Sequence, residues 1–553
     1  MREKFRFSQE QIIAGVIFLI TILIACSPLF TENCINGHDI EYHLLRIESL
    51  KEGILMGKPF LKVNVLFLGG AGYASSMFYS DFLLYFPALL RVCGVGINAS
   101  YHLFVALCFI LCYAAAFYCT KQITKSSYAG TIAAVVMTLC QYHIDDVYTR
   151  SAVGEYTAFI FIPFVIYGLY DILFENMKKP WVFALGFAGV LLCHTTSLVM
   201  CVILCFVAFL IRFKTFLRNP KLLLRVALTT LFTMLITISY WLPMLEQLVT
   251  TTFFVDTAWI MPVDAMQEVQ TVLSPVFPAI GIALLLVNLP RVFIKKTEEN
   301  KELRLFADLL MLAGACFAIL ATRIIPWERI GAYISFVQFP WRFYILASVC
   351  LATSGAIVLH LYFAEGKVRE YVLLAVLGLM CVSAVNNLAR TEEGYYSYSD
   401  DYFEHVPFTA NIIAGEWLPE TVTDTKAFME QVNSAKDDKG EEVSFTRVKN
   451  TIEIESIPDS EYIDVPLLYY KGYGASLMNG DGSRTNLTVT DEGENGFCRV
   501  YLSDAQQGKL VVSYVGTTIQ KISYVVTILT ACGLIAFYLY QRRKHRRNGL
   551  EVN

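Results

Sequence analysis

Long apolar runs separated by short polar stretches fill most of this chain. A run of about twenty apolar residues is the length that crosses a bilayer as a helix. On that template the first run, Gln11–Phe30, supplies a span over Gln11–Leu29. Tyr101–Thr120, Gly130–Gln141 (extended to about Tyr128–Ile144) and Tyr156–Leu173 follow. Trp181–Phe213 is too long for one span and carries His194-Thr195-Thr196-Ser197 at its middle, so it reads as two helices meeting near His194. Leu222–Leu245, Val272–Val287, Leu305–Ala321, Phe343–Phe363, Tyr371–Asn386 and Ile519–Tyr540 complete a set of about twelve spans.

Basic residues orient this set. Arg2/Lys4/Arg6, Lys121/Lys125, Lys178/Lys179, Arg212–Arg225, Arg291–Arg304, Lys367/Arg369 and Arg542–Arg547 all fall on one side when twelve spans are threaded. By the positive-inside tendency that side is cytoplasmic, and so are both termini. The agreement requires that Phe78–Arg91, which contains Pro87, does not cross. The outer side then receives Thr31–Ser100, Gln141–Glu155, the His194 corner, Glu246–Gln270, Arg323–Arg342 and Arg390–Gly516.

The pattern changes period after residue 390. VSFTRV, TIEIESI, TNLTVT, CRVYLS and KLVVSYV alternate like strands and are split by Gly, Asp and Asn. The predicted fold class is therefore a mainly α polytopic membrane protein with a small extracytoplasmic β-rich domain. Residues 1–389 form the membrane domain, with a first outer loop at 31–100. Residues 390–516 form a β-sandwich-like outer domain, and 517–553 the final span and basic tail.

Composition agrees: 56% of the 553 residues are hydrophobic and 17% charged, which no ordinary soluble domain combines. The formal net charge of −4 argues against a nucleic-acid partner. The first run is long enough to span and lacks a small-residue cleavage site, so no cleavable signal is expected. Most of the 15 cysteines lie in apolar runs. Cys34 and Cys498 both belong outside, which leaves one disulfide open. No Cys/His spacing suggests a structural metal.

Candidate chemistry gathers at the expected outer ends of spans. Asn36–Gly53 reads NGHDIEYHLLRIESLKEG, with His38, Asp39, Glu41, His43 and Arg46 just after the first span. In a helix, Asp39, His43 and Arg46 share one face beside an apolar stripe of Ile40, Leu44 and Ile47. That predicts a helix lying at the membrane surface with its polar side toward a cavity. The second outer loop offers Asp145, Asp146, Arg150 and Glu155. Charges at a span's start are costly and so point to function, although interfacial snorkelling accounts for some of them. His194 marks its corner, where a satisfied polar residue is the plainer reading. Arg342, in Val337-Gln338-Phe339-Pro340-Trp341-Arg342-Phe343, suits an interfacial belt or a phosphate, whose oxygens guanidinium binds in pairs. A surface carboxylate can take a proton from an acceptor hydroxyl, while arginines and a histidine hold a leaving phosphate. No GxGxxG or GxxxxGK[ST] run offers to cradle a nucleotide.

This order of features resembles the GT-C superfamily of membrane glycosyltransferases. More closely it looks like the bacterial YfhO-like proteins and the membrane proteins labelled 6-pyruvoyl-tetrahydropterin synthase-related. The residues that carry the resemblance are Gly37-His38-Asp39 with His43 and Arg46, Phe78-Tyr79, Tyr148-Thr149-Arg150 through Gly154-Glu155, and the His194 corner. Gln338–Phe343, Gly415-Glu416-Trp417-Leu418-Pro419 and Tyr469-Tyr470-Lys471-Gly472-Tyr473 add to it. The resemblance implies a polyprenyl-phosphate-linked sugar as donor. It implies an extracytoplasmic glycan, teichoic-acid-like polymer or protein as acceptor, with the lipid bilayer as setting. It does not imply pterin synthesis. Asp39 and Glu155 become the expected catalytic residues, and Arg150, His194 and Arg342 the expected donor-phosphate ligands. His38, His43, Arg46, Asp145 and Asp146 are expected to bind or orient the acceptor. Metal use varies within that superfamily, so a divalent cation is admitted with no ligand set, and no other cofactor is assigned. A flippase of lipid-linked saccharide and a non-catalytic envelope-assembly protein are the alternatives.

Overall fold

The computed structural model describes residues 9–547 apart from 65, 256–281, 331–336, 364–365, 390–393, 400–401, 405–411, 413–414, 450, 480–481 and 503–507. Residues 272–281 of the expected span Val272–Val287, and most of the expected outer segment Glu246–Gln270, lie outside the described residues.

Six described helices are long and apolar enough to cross a membrane, and a bent pair makes a seventh. This is a multi-pass membrane protein. The helices that matter below are α1 (Gln9–Ala25), α2 (Ile40–Leu55), α3 (Ile97–Thr124), α4 (Ser127–Thr138), α5 (Gln141–Tyr148), α6 (Val153–Phe174), α7 (Pro180–Leu191), α8 (Thr195–Ile211), α9 (Pro220–Ile236), α10 (Ile238–Thr250), α11 (Lys301–Leu320), α12 (Phe343–Tyr362), α13 (Val368–Leu388) and α14 (Thr518–Arg547). α6 and α12 are buried along most of their length, whereas α14 exposes almost all of its apolar surface.

Several expected spans are shorter than their apolar runs. The run around Tyr128–Ile144 ends as α4 at Thr138 and restarts as α5. Trp181–Phe213 breaks into α7 and α8, with His194 in extended backbone as the residue that opens α8. A helix of 12 residues such as α7 rises only about 18 Å, less than a hydrocarbon core. α9 and α10 meet at a 74° bend. Thr237 sits at that break, and its hydroxyl donates to the Thr233 carbonyl at 2.8 Å. The segment from Phe78 to Arg91 holds only the helix Tyr85–Val92, whose 8 residues are too few to cross.

α2 differs from the amphipathic surface helix that its pattern predicts. It is buried on nearly every side, polar positions included: His43, Arg46, Glu48 and Ser49 are all inside. Internal partners make this affordable. Arg46 Nη2 donates to Asp81 at 2.6 Å, and the Arg91 guanidinium pairs with Glu48. Asp39 and His43 do line a cavity, but Arg46 and Glu48 are taken up in ion pairs between the first outer loop's own segments.

After residue 430 the chain forms two five-stranded sheets whose pairings are all antiparallel. One runs β10-β11-β7-β3-β4 and the other β5-β6-β12-β8-β9. The strands are β3 (Ala435–Asp437), β4 (Glu442–Val443), β5 (Thr446–Val448), β6 (Thr451–Ile454), β7 (Tyr462–Leu468), β8 (Tyr473–Asn479), β9 (Arg484–Leu487), β10 (Val489–Thr490), β11 (Phe497–Tyr501) and β12 (Gly508–Tyr514). Period-two alternation sets the second sheet's buried face. Leu510 lies opposite Ile454 and Leu477, and Val512 opposite Ile452 and Ala475, all six residues inside. A small ladder, β1 (Cys34–Ile35) on β2 (Tyr395–Tyr396), ties this region to the first outer loop. Cys34 and Cys498 do not pair. Cys34 Sγ lies 3.4 Å from His102 Nε2, and Cys498 is buried within β11.

Candidate active site

Three chain segments, far apart in sequence, are pinned around α6's first turn. His38 N–H donates to the Thr149 carbonyl at 3.1 Å and Asp39 N–H to the Arg150 carbonyl at 3.0 Å. Gly37 makes that approach possible: a Cβ there would stand 2.4 Å from Ser151 Oγ and 2.9 Å from the Tyr148 carbonyl. Gly154 plays the same part toward the corner, where a Cβ would meet the Cys193 carbonyl at 3.0 Å and the His194 ring at 3.4 Å. Two non-glycine residues sit in the left-handed region beside the two arginines: Ser151 at φ 51° and Gln338 at φ 62°. Such strain persists only where its surroundings enforce it.

Asp39, Tyr42, His43, Tyr79, Arg150, Gly154, Glu155, His194 and Arg342 line one small cavity. Five of the predicted site residues, from four outer segments, thus meet there, and His43 is a sixth. At their centre is Glu155. Its Oε1 accepts from Arg150 Nη2 at 2.8 Å and Arg342 Nε at 3.0 Å. Its Oε2 accepts from Tyr142 Oη at 2.7 Å and Arg150 Nη1 at 3.0 Å. Arg342 Nη1 also donates to the Val337 carbonyl at 3.1 Å and to Gln338 Oε1. Glu155 is therefore saturated with donors, and both arginines are fixed by it.

Asp39 is the opposite case. It is the N-cap of α2, yet its side chain makes no capping hydrogen bond, and among the described residues its carboxylate has no hydrogen bond or ion pair. Burial raises its pKa above the usual carboxylate range, against the pull of Arg150, Arg342 and His38. Tyr42 Oη, one turn along, is buried without a hydrogen-bond partner. His194 Nδ1 lies 2.8 Å from Ser197 Oγ, which fixes its ring.

The remaining predicted residues lie around this cavity. His38 is exposed beside Asp39. Arg46 sits behind the wall, donating to the Tyr79 and Ser80 carbonyls at 3.2 Å and to Asp81, with Nη1 3.2 Å from His43 Nδ1. Asp146 accepts from Arg150 Nη1 at 2.6 Å and is wholly buried, which pushes its carboxyl well above the usual range. Asp145 turns away toward α13, accepting from Asn387 Nδ2 at 2.7 Å, and burial raises it to about 6.

Tyr42 and Tyr142 belong to the site although no sequence signal pointed to them, and so do Tyr79 and Gln338, which lie in motifs that carried the resemblance without being given a role. Tyr42 could have been found, since it lies one turn from Asp39. Glu416 was also missed as a site group. It is 8% exposed on the loop entering the β region. Burial raises its carboxyl to about 7, with the Asp39 charge adding to that and Arg342 opposing. Its neighbour Trp417 stacks on Phe78 at 4.1 Å and meets Tyr79 edge-on at 6.1 Å. Nothing in sequence spacing joins residues 39 and 416.

Among the described residues no group of three His, Cys, Asp or Glu is placed to hold a metal ion. Of the lining carboxylates, Glu155 already has both oxygens occupied, so no step is assigned to a divalent cation.

No protein-family model matches the chain, and no curated protein matches it. Two solved structures of the arabinofuranosyltransferase AftD from Mycobacteria are similar in part. One, of a point mutant, gives a TM-score of 0.46 at 13% identity, covering 72% of this chain and 29% of that one. The other gives 0.41 at 15% identity, covering 72% and 28%. The chain spans less than a third of the length of either.

Proposed function

We propose that the protein is a membrane glycosyltransferase of the GT-C type. It moves a sugar from a polyprenyl-phosphate donor to an extracytoplasmic acceptor, a glycan, a teichoic-acid-like polymer or a protein. Asp39 acts as general base: it takes the proton of the acceptor hydroxyl as that oxygen bonds to the anomeric carbon. The bond from that carbon to the donor's phosphate oxygen breaks, and the electron pair leaves with the phosphate. Arg150 and Arg342 offset the charge, since arginine donors fixed before the reaction need no reorganisation during it. His194 completes the phosphate side. Glu155 serves as the anchor that positions both arginines, and His43 with Tyr42 orients the acceptor beside Asp39.

One observation carries this reading. Of the two carboxylates in the cavity, Glu155 is fully engaged with donors, while Asp39 has no hydrogen bond or ion pair among the described residues. Donors already bound weaken a carboxylate as a base, and the Asp39 carboxylate carries none among the described residues. Mass spectrometry of lipids that co-purify with the protein tests the donor class. A polyprenyl-phosphate sugar is the expected finding, and bulk phospholipid alone would count against it.

A further inference from the structure

The other end of α6 carries a second cavity that this function does not use. α6 begins at Val153, beside Glu155, and its 22 residues carry the chain about 33 Å to Phe174. That is about one hydrocarbon core, so Phe174 lies at the membrane face opposite Asp39. Here a cavity of about 450 Å³ opens between the ends of α6, α8 and α11. Arg212, Lys296, Lys301 and Arg304 line it, with Glu302 and Asp308.

The charges in this cavity are unbalanced. Asp308 is already bound by Arg291, whose Nη2 donates to Oδ2 at 2.6 Å. Lys301 is paired with Glu298 at 2.6 Å, an exposed contact of little worth. The side chains of Arg212, Lys296 and Arg304 have no hydrogen bond or ion pair among the described residues, and Glu302 is the only acid left facing them. The Nε atoms of Arg212 and Arg304 are buried without a hydrogen-bond partner. Arg212 lies 5.5 Å over the Phe174 ring, which fixes its guanidinium at the cavity wall. Attraction to the carboxyl end of α8 explains why a cation stands at position 212, but it leaves that Nε unsatisfied. α11 adds its positive end: Lys301 opens this 20-residue helix, and its N-cap Asn300 makes no side-chain capping bond. Two arginines without a side-chain hydrogen bond or ion pair among the described residues, a lysine and an uncapped helix N-terminus suit an anion with several oxygens.

We infer that this cavity binds a phosphate group at the membrane face opposite Asp39, presented either by an anionic phospholipid or as free phosphate. Basic pockets between helix ends at such a face have the chemistry of phospholipid headgroup sites.

The test uses the full-length protein, delipidated in detergent. Phosphatidylglycerol and phosphatidylcholine are titrated with native mass spectrometry as readout, and inorganic phosphate with thermal unfolding. If the source is lipid, wild type retains phosphatidylglycerol over phosphatidylcholine, and Arg212→Gln/Arg304→Gln weakens that retention by about thirtyfold. If the source is free phosphate, inorganic phosphate raises the wild-type unfolding midpoint and the double variant loses the rise. Arg212→Lys/Arg304→Lys keeps the charge and controls for folding, and it retains most of either response. Equal retention of the two lipids, together with no phosphate response, overturns the site. So does a response that the Gln variant shares with wild type.

Discussion

At the scale of single residues, two acids that look alike in sequence are separated by their partners. Glu155 holds Arg150, Arg342 and Tyr142 together, while Asp39 is left unpaired beside them. Removing one member of a buried ion cluster strands the other charges and costs about 3 kcal/mol or more. Glu155→Gln is therefore expected to lower the thermal unfolding midpoint and to weaken binding of a polyprenyl-phosphate analogue. An unchanged midpoint and affinity would show that Glu155 does not anchor the arginines. Which of the two acids was free could not be read from sequence, because the donors on Glu155 come from positions 142, 150 and 342.

At the scale of elements, local pattern was legible and packing was not. The buried alternation of Leu510 and Val512 against β6 and β8 follows from period two, and α6 from a long, mostly apolar run. α2 was legible in part: its polar side does reach a cavity through Asp39 and His43, but its pattern does not show that Arg46 and Glu48 are buried against internal partners such as Asp81 and Arg91. The break at His194 was legible, because its apolar run is too long for one span and carries a polar quartet at its middle, whereas the end of α4 at Thr138 was not, since nothing in its run marks the stop. Gly37 shows what the junction of elements demands. Gly37→Val would force side-chain atoms into Ser151 and the Tyr148 carbonyl. Overpacking of this kind costs about 1–3 kcal/mol. It is expected to lower both the unfolding midpoint and the transfer rate, and wild-type values for both would contradict the tight junction.

At the scale of the whole molecule, the β region and the membrane helices meet over the site. Gln247 of α10 clasps Lys471 through both its amide atoms, at 2.6 and 3.2 Å. Trp417 carries the contact to the cavity wall through Phe78 and Tyr79. If the site faces outward, so must this region. Asn479→Cys is expected to react with an impermeant thiol reagent on intact cells, above the background of the parent protein. Labelling only after lysis would reverse the topology.

The central claim is that Asp39 is the base. Its most direct test is the single-turnover rate of sugar transfer by Asp39→Asn, with donor binding measured on the same preparation. The expected result is a rate lower by roughly 10²–10⁴-fold with donor affinity kept, since the arginine cluster is untouched. Full transfer activity in Asp39→Asn would contradict it.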